Sequence, residues 1–208
     1  EQTGASVGYL TEAANTVVAQ WVQAVPGQGG LNAAEMLAGG LKGVILLNTE
    51  PVFDSAAGVK AAEALAQAEM VVTLSPFKTN LEFSDVLLPI APFTETSGSF
   101  VNAEGRLQSF HAVVRPLGET RPAWKVLRVL ANLLDLQGFD FETSQDVLSK
   151  ATGAPAGQAQ SVPAELLDNR TAVVPQAAAS GAADPVVASI YQLDGLVRRS
   201  TSLQLTAD

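Results

Sequence analysis

Cysteine is absent from this 208-residue chain, which excludes disulfides, thiolate metal sites and iron–sulfur ligation within it. Histidine occurs once, as His111, so a histidine-based metal site would need carboxylates for nearly all of its ligands. Cations are scarce as well: 12 Lys and Arg face 21 Asp and Glu, a formal net charge of -9. No basic face large enough to track a phosphate backbone can be assembled from so few, which argues against nucleic acid as a partner. Long apolar runs are missing too. The best, Val44 to Leu47, is bounded by Lys42 and Asn48 and falls far short of the roughly 18 residues of a spanning helix, so direct membrane insertion is not expected. The opening EQTGASVG has no initiator Met, basic region or apolar core, and reads as a cut or processed end rather than a leader.

What is present alternates helical and strand-like signals. Thr11 to Trp21 carries apolar residues at Ala14, Val17, Val18 and Trp21, the spacing of one helix face. Asn32 followed by Glu35 predicts a capping box, with Gly39-Gly40 ending the helix it starts. Val44 to Leu47 reads as a fully buried strand. Asp54 or Ser55 then caps an Ala-rich helix from Ala56 to Gln67, and Met70 to Leu74 and Asp85 to Leu88 supply two more strands. This order predicts an α/β fold with a parallel sheet. The turns Asn48-Thr49-Glu50-Pro51 and Ser75-Pro76 would then lie at the carboxyl ends of strands, where open α/β sheets bind ligands. Pro122 opens a further helix to Asp135, ended by Gly138, and Thr143 or Ser144 starts a shorter one toward Lys150. Three regions follow: an α/β domain over 1–150, an Ala/Pro/Gly-rich linker or extended arm over 151–185, and a C-terminal segment over 186–208 that packs back or on a partner.

The most informative stretch is Ser84 to Phe110, SDVLLPIAPFTETSGSFVNAEGRLQSF. Pro89 stops the apolar run because it has no N–H to donate. With Asp85 before it and Glu95, Gly98, Asn102, Glu104, Gly105 and Arg106 after it, Pro89 belongs to one structural motif, in which Gly105 is expected at positive φ. This stretch resembles the signature of the molybdopterin oxidoreductase superfamily. In detail it is similar to the large peripheral-arm subunit of bacterial NADH:quinone oxidoreductase, respiratory complex I. GYLTEAANTVVAQWVQAVPG, GVILLNTEP and IYQLDGLVRRSTSLQ resemble further blocks of that subunit, so the likeness covers nearly the whole chain.

The resemblance implies a dinucleotide-binding-like α/β fold in a C-terminal scaffold segment, with no catalytic residue, metal or cofactor of its own. Iron–sulfur clusters are then expected in the missing N-terminal part of the subunit. The implied partners are that N-terminal part and other peripheral-arm subunits, on the cytoplasmic side of the bacterial inner membrane. In molybdenum and tungsten relatives, the strand ends corresponding to Asn48, Thr49 and Ser75 lie near a pyranopterin dinucleotide, which makes these three vestigial cofactor-binding candidates. The runner-up is a fragment of a molybdopterin-dependent oxidoreductase, such as formate dehydrogenase or nitrate reductase, that binds the pterin dinucleotide.

From the residues themselves, general acid–base chemistry would fall to Glu95, Glu104, His111 or Glu119. The structural reading takes precedence: Glu95 or Glu104 pairs with Arg106 or Arg115 and ties the loop down. PGQGG at Pro26 to Gly30 lacks the Lys-Ser/Thr of a phosphate loop and reads as a turn. No serine has a base that its sequence context supplies.

Overall fold

The computed structural model describes residues 14–155, 161–163 and 189–206. In chain order the described elements are α1 (Thr16–Trp21), α2 (Ala33–Met36), β1 (Gly43–Leu47), α3 (Pro51–Asp54), α4 (Val59–Leu65), β2 (Met70–Ser75), β3 (Val86–Pro89), β4 (Gly98–Val101), β5 (Leu107–Phe110), α5 (Ala123–Leu133), α6 (Ser144–Thr152), α7 (Ile190–Leu193) and α8 (Thr201–Gln204). They fall into two compact units, residues 28–90 with 189–206 and residues 14–27 with 91–155 and 161–163.

The first unit is built on a parallel sheet in the order β1-β2-β3. Its register aligns Leu46 with Thr73 and Leu87, and Leu47 with Leu74 and Leu88. Pro89 pairs with Ser75 at the end of β3, and the next residue, Ile90, donates its N–H to the Ser75 carbonyl. One face is covered: Leu46 and Val71 pack with Leu65 of α4 and with Phe83, ringed by Leu37, Val44, Val52, Ala62 and Ala68. Each such apolar side chain removed from water contributes about 1.5–3 kcal/mol. Val71 also holds the start of β2, since its N–H donates to the Asp85 carboxylate at 2.7 Å.

β1 departs from the expectation of a fully buried strand. Ile45 and Leu47 are 54% and 45% exposed, because β1 is an edge strand and only the Val44–Leu46 face has a cover among the described residues. The Ala-rich helix is also shorter than expected. Pro51 starts a separate turn, α3, and Gly58 at φ 54 breaks the chain before α4 resumes at Val59. The Asn32 capping box forms as expected, with Glu35 N–H donating to Asn32 Oδ1 at 3.0 Å and Asn32 N–H to Glu35 Oε2 at 2.8 Å, although α2 is a single turn.

The second unit carries an antiparallel hairpin, β4–β5, which pairs Gly98 with Phe110 and Val101 with Leu107. The sequence predicted a polar region with a turn at Gly105 but not these two strands, because a four-residue strand leaves little room for an alternating pattern. Phe100 and Phe110 stack with ring centroids 5.6 Å apart. Gly98 is needed for that packing: a Cβ there would lie 2.6 Å from the tip of the Phe110 ring. Gly98→Ala is therefore expected to destabilise this unit by about 1 kcal/mol, the low end of overpacking costs, because the half-exposed ring can swing aside. A thermal melt followed by tryptophan fluorescence checks this, as Trp21 and Trp124 both lie in this unit. An unchanged midpoint would mean that the ring contact carries no weight.

Asn15 closes the free side of β4, its amide donating to the Ser99 carbonyl at 2.9 Å and accepting from Val101 N–H at 2.9 Å. Asn15 stands at φ 67, so α1 begins at Thr16, later than expected; residues 11–13 lie outside the described residues. α5 follows Pro122 as expected but stops at Leu133. Asp135 takes the left-handed conformation at φ 55, and the helix closes there rather than at Gly138. α6 starts with a capping box between Thr143 and Asp146, whose hydrogen bonds hold the Asp146 carboxyl below its ordinary range. Most of the expected arm over 151–185 lies outside the described residues. Its described part ends α6 at Gly153 and returns at Ser161, which bridges to Arg106, and at Val162, whose N–H donates to the Gly105 carbonyl at 2.8 Å.

Candidate functional site at the carboxyl edge of the parallel sheet

β1 and β2 deliver three of the anticipated residues to one edge. Past Leu47, Asn48 extends the ladder by donating its N–H to the Leu74 carbonyl at 2.8 Å, then turns at φ 50, a left-handed conformation that asparagine tolerates better than most residues. Thr49 offers its carbonyl to the buried Asn80 amide at 3.0 Å and its hydroxyl to Asp54 Oδ2 at 3.2 Å. Ser75 is buried at the end of β2, where its hydroxyl accepts the Phe77 N–H at 3.1 Å. Thus all three candidate residues are engaged in shaping the turns themselves.

The centre of this edge is Glu50. It is 7% exposed and precedes α3, whose first turn is organised by Asp54: the Glu50 N–H donates to Asp54 Oδ2 at 2.6 Å. The Glu50 carboxylate meets Arg199 Nη1 at 2.8 Å and Arg198 Nη1 at 3.2 Å. Arg198 also reaches Asp54 Oδ1 at 2.6 Å. The 3.2 Å contact is an ion pair without hydrogen-bond alignment, since Arg198 Nη1 is buried and otherwise unpartnered. Both guanidiniums stack on rings, Arg198 at 4.7 Å from the Phe53 centroid and Arg199 at 4.0 Å from that of Phe77. Burial pushes the Glu50 carboxyl up, but hydrogen bonds from Arg199 and Thr79 and the two guanidinium charges outweigh it and hold the group below its ordinary value.

Arg198 and Arg199 lie in the C-terminal segment, which is fastened internally. Gln204 donates to the carbonyls of Tyr191 and Val197, both at 2.9 Å, and Asp194 accepts the N–H groups of Leu196 and Val197. The sequence predicted a C-terminal segment that packs back or on a partner, without naming the residues it would meet. The clue available was the lone pair Glu50 and Asp54 at a strand end, in a chain with few cations.

The remaining motif residues form local structure. Asn102 Oδ1 accepts the N–H groups of Glu104 and Arg106 at 3.1 and 2.8 Å, and Gly105 stands at φ 79 as expected, so Asn102 to Arg106 is the turn of the β4–β5 hairpin. The anticipated salt bridge does not form. Among the described residues no ion pair joins Glu95 or Glu104 to Arg106 or Arg115; Glu95 instead accepts the Leu117 N–H at 2.9 Å, and the Glu104 carboxylate lies 3.5 Å from the Asn102 amide. Exposed loop charges gain too little from pairing to offset the ordering of two long side chains. Among the described residues no group of His, Cys, Asp and Glu is arranged to hold a metal ion, and no helix is long and apolar enough to cross a membrane.

The sequence profile of the molybdopterin oxidoreductase family matches residues 1–133, and the chain belongs to that family. It is 28% identical over 153 residues to a nitrate reductase of Shewanella frigidimarina, covering 71% of this chain and 16% of the relative. It is 40% identical over 70 residues to a probable oxidoreductase of Bacillus subtilis, covering 34% of this chain and 7% of the relative. A putative formate dehydrogenase of Staphylococcus aureus is 38% identical over 79 residues, covering 38% of this chain and 8% of the relative. The chain therefore spans between 7% and 16% of the length of these relatives.

Proposed function

We propose that this chain is a scaffold segment of a larger oxidoreductase of the molybdopterin family and holds no redox centre itself. The observation that carries the reading is the charge balance of the sheet edge. Two carboxylates, Glu50 and Asp54, meet two guanidiniums, Arg198 and Arg199, in one closed cluster. A pterin dinucleotide brings phosphates, which need free donors or cations; here the cations are neutralised and a buried carboxylate stands between them. The described strands also run β1-β2-β3 without a reversal of order, so they form no switch-point crevice among themselves. The described residues of this edge therefore offer the dinucleotide's phosphates no unpaired cation.

Two whole proteins accommodate such a segment. The names of the relatives favour a molybdopterin-dependent oxidoreductase such as a formate dehydrogenase or nitrate reductase, with the cofactor seated mainly on parts of the protein outside this chain and Asn48, Thr49 and Ser75 at its periphery. The neutralised edge favours the second, the large subunit of NADH:quinone oxidoreductase. There the segment would support a cluster-bearing N-terminal part and dock peripheral-arm subunits on the cytoplasmic side of the bacterial inner membrane.

Molybdenum, tungsten and iron, together with released pterin, should be measured on the purified full-length protein that carries this chain. Stoichiometric molybdenum or tungsten with a pterin supports the first whole-protein reading. Iron without either supports the second. A Glu50→Gln variant of a pterin-bearing protein that loses its nucleotide would overturn the scaffold role of this edge.

A further inference from the structure

The same edge has the makings of a binding site in its own right, and the geometry points to a peptide segment bearing two adjacent arginines as its ligand. We infer that residues 189–206 are a detachable latch whose Arg198 and Arg199 plug a guanidinium receptor on the sheet. The inference rests on the reading that the edge takes no nucleotide.

The receptor is assembled without the latch. Asp54 Oδ2 is fixed by Thr49 and by the Glu50 N–H, which leaves Oδ1 for Arg198. The Phe77 N–H is fixed by Ser75, and Asn80 ties its loop to Thr49. Every one of these anchors lies between residues 49 and 80, whereas Arg198 stands 144 residues beyond Asp54. The result is two subsites, each with a carboxylate oxygen paired to a guanidinium and an aromatic ring against it. That combination selects arginine over lysine, because an ammonium offers neither the planar fork nor the stacking face.

The latch is likewise built from its own contacts. Gln204, Asp194 and the carbonyls of Gln192, Leu193 and Gly195 shape it, and the last three accept directly from the two guanidiniums. Two halves with internal order, joined through a cluster in which the side chains of Glu50 and Arg198 are buried while those of Asp54 and Arg199 are partly exposed, can separate without unravelling either. Arg199 and Asp54 remain 31% and 30% exposed, which gives salt and competing ligands access to the joint.

The test is hydrogen exchange on the whole protein, comparing peptides of 189–206 with peptides of β2, in the native form and in an Arg198→Lys/Arg199→Lys variant. The lysine pair keeps the charge while losing the stack and the fork, including the fork's bonds to the Gln192, Leu193 and Gly195 carbonyls, so peptide binding separates detachment from loosening within the latch. Exchange across 190–204 is expected to rise roughly tenfold, the loss of about one charge-assisted hydrogen bond, while β2 keeps its protection. A labelled synthetic peptide of residues 189–206 should then bind the lysine variant and not the native protein, and a peptide with both arginines replaced by lysine should bind neither. Unchanged exchange overturns the latch, as does joint loss of protection in β2, and failure of the arginine peptide to bind overturns the receptor. Nucleotide lost from a pterin-bearing protein on Glu50→Gln substitution would instead strike at the proposed function, whatever the exchange rates show.

Discussion

Replacing Leu65 by alanine is expected to cost the sheet unit about 3 kcal/mol, within the range for truncating a buried leucine. Leu65 is 3% exposed and is the α4 residue that fills the space against Leu46, Val71 and Phe83. Relaxation into the void is hindered on both sides. Its neighbours along the chain, Ala61 and Ala62, are too small to reach in, and Val71 is fixed through its own N–H to Asp85. The measurement is a urea transition read by hydrogen exchange at the β2 amides. Tryptophan fluorescence is the wrong probe here, because both tryptophans lie in the other unit. Leu133→Ala, at a position 77% exposed, serves as the control and should move its own unit by less than about 0.5 kcal/mol. A loss below about 1 kcal/mol at Leu65 would mean that α4 does not seal the covered face.

The parallel sheet was legible because its strands are short apolar runs bounded by unmistakable punctuation: Gly43 and Asn48 around β1, Ser75-Pro76 after β2, Pro89 at the end of β3. Their burial was harder to read. A run such as Val44–Leu47 predicts cover on both faces of a strand, yet cover depends on elements that the local sequence does not contain. The Ala-rich helix failed for another reason. Alanine favours helix anywhere, so composition alone cannot show that Gly58 holds the start of α4 back to Val59. The Asn32–Glu35 cap was readable from spacing, since a cap is a contact between residues three apart, whereas the start of α6 was left between Thr143 and Ser144 and the structure gives Thr143 with Asp146.

The site was legible only in part, and the limit is again range. Asn48, Thr49 and Ser75 follow from strand ends, which are local features. The ion-pair cluster spans from Glu50 to Arg199, and periodicity carries no information at such separation. The loop salt bridge erred in the opposite direction: Glu104 and Arg106 are adjacent enough in sequence to suggest a pair, but the Asn102 side chain satisfies the turn's N–H groups and its amide faces the Glu104 carboxylate at 3.5 Å. Family resemblance placed the chain in the right superfamily chiefly on the stretch from Ser84 to Phe110, which here forms β3 and the β4–β5 hairpin.

The Glu50–Arg199 pair should show a coupling of about 2 kcal/mol in a double-mutant cycle of Glu50→Ala and Arg199→Ala at neutral pH. The value sits below the cost of breaking a fully buried pair, because Arg199 is partly exposed and Asp54 continues to hold Arg198. Its pH dependence has a definite sign. The folded state holds the Glu50 carboxyl below the 4.5 of a free glutamate, so the folded protein binds fewer protons than the unfolded chain in that window. Stability from the pair is therefore complete above 4.5 and is lost as the pH falls through the lowered folded value, while the arginines stay charged throughout. The native protein should thus lose its advantage over Glu50→Ala on acidification, and the coupling should shrink with it. Denaturant titrations of the four proteins at neutral pH and at two acidic values decide the matter. A coupling that stays constant as the pH falls would show that packing of the arginines on Phe53 and Phe77, rather than their charge, joins the C-terminal segment to the sheet.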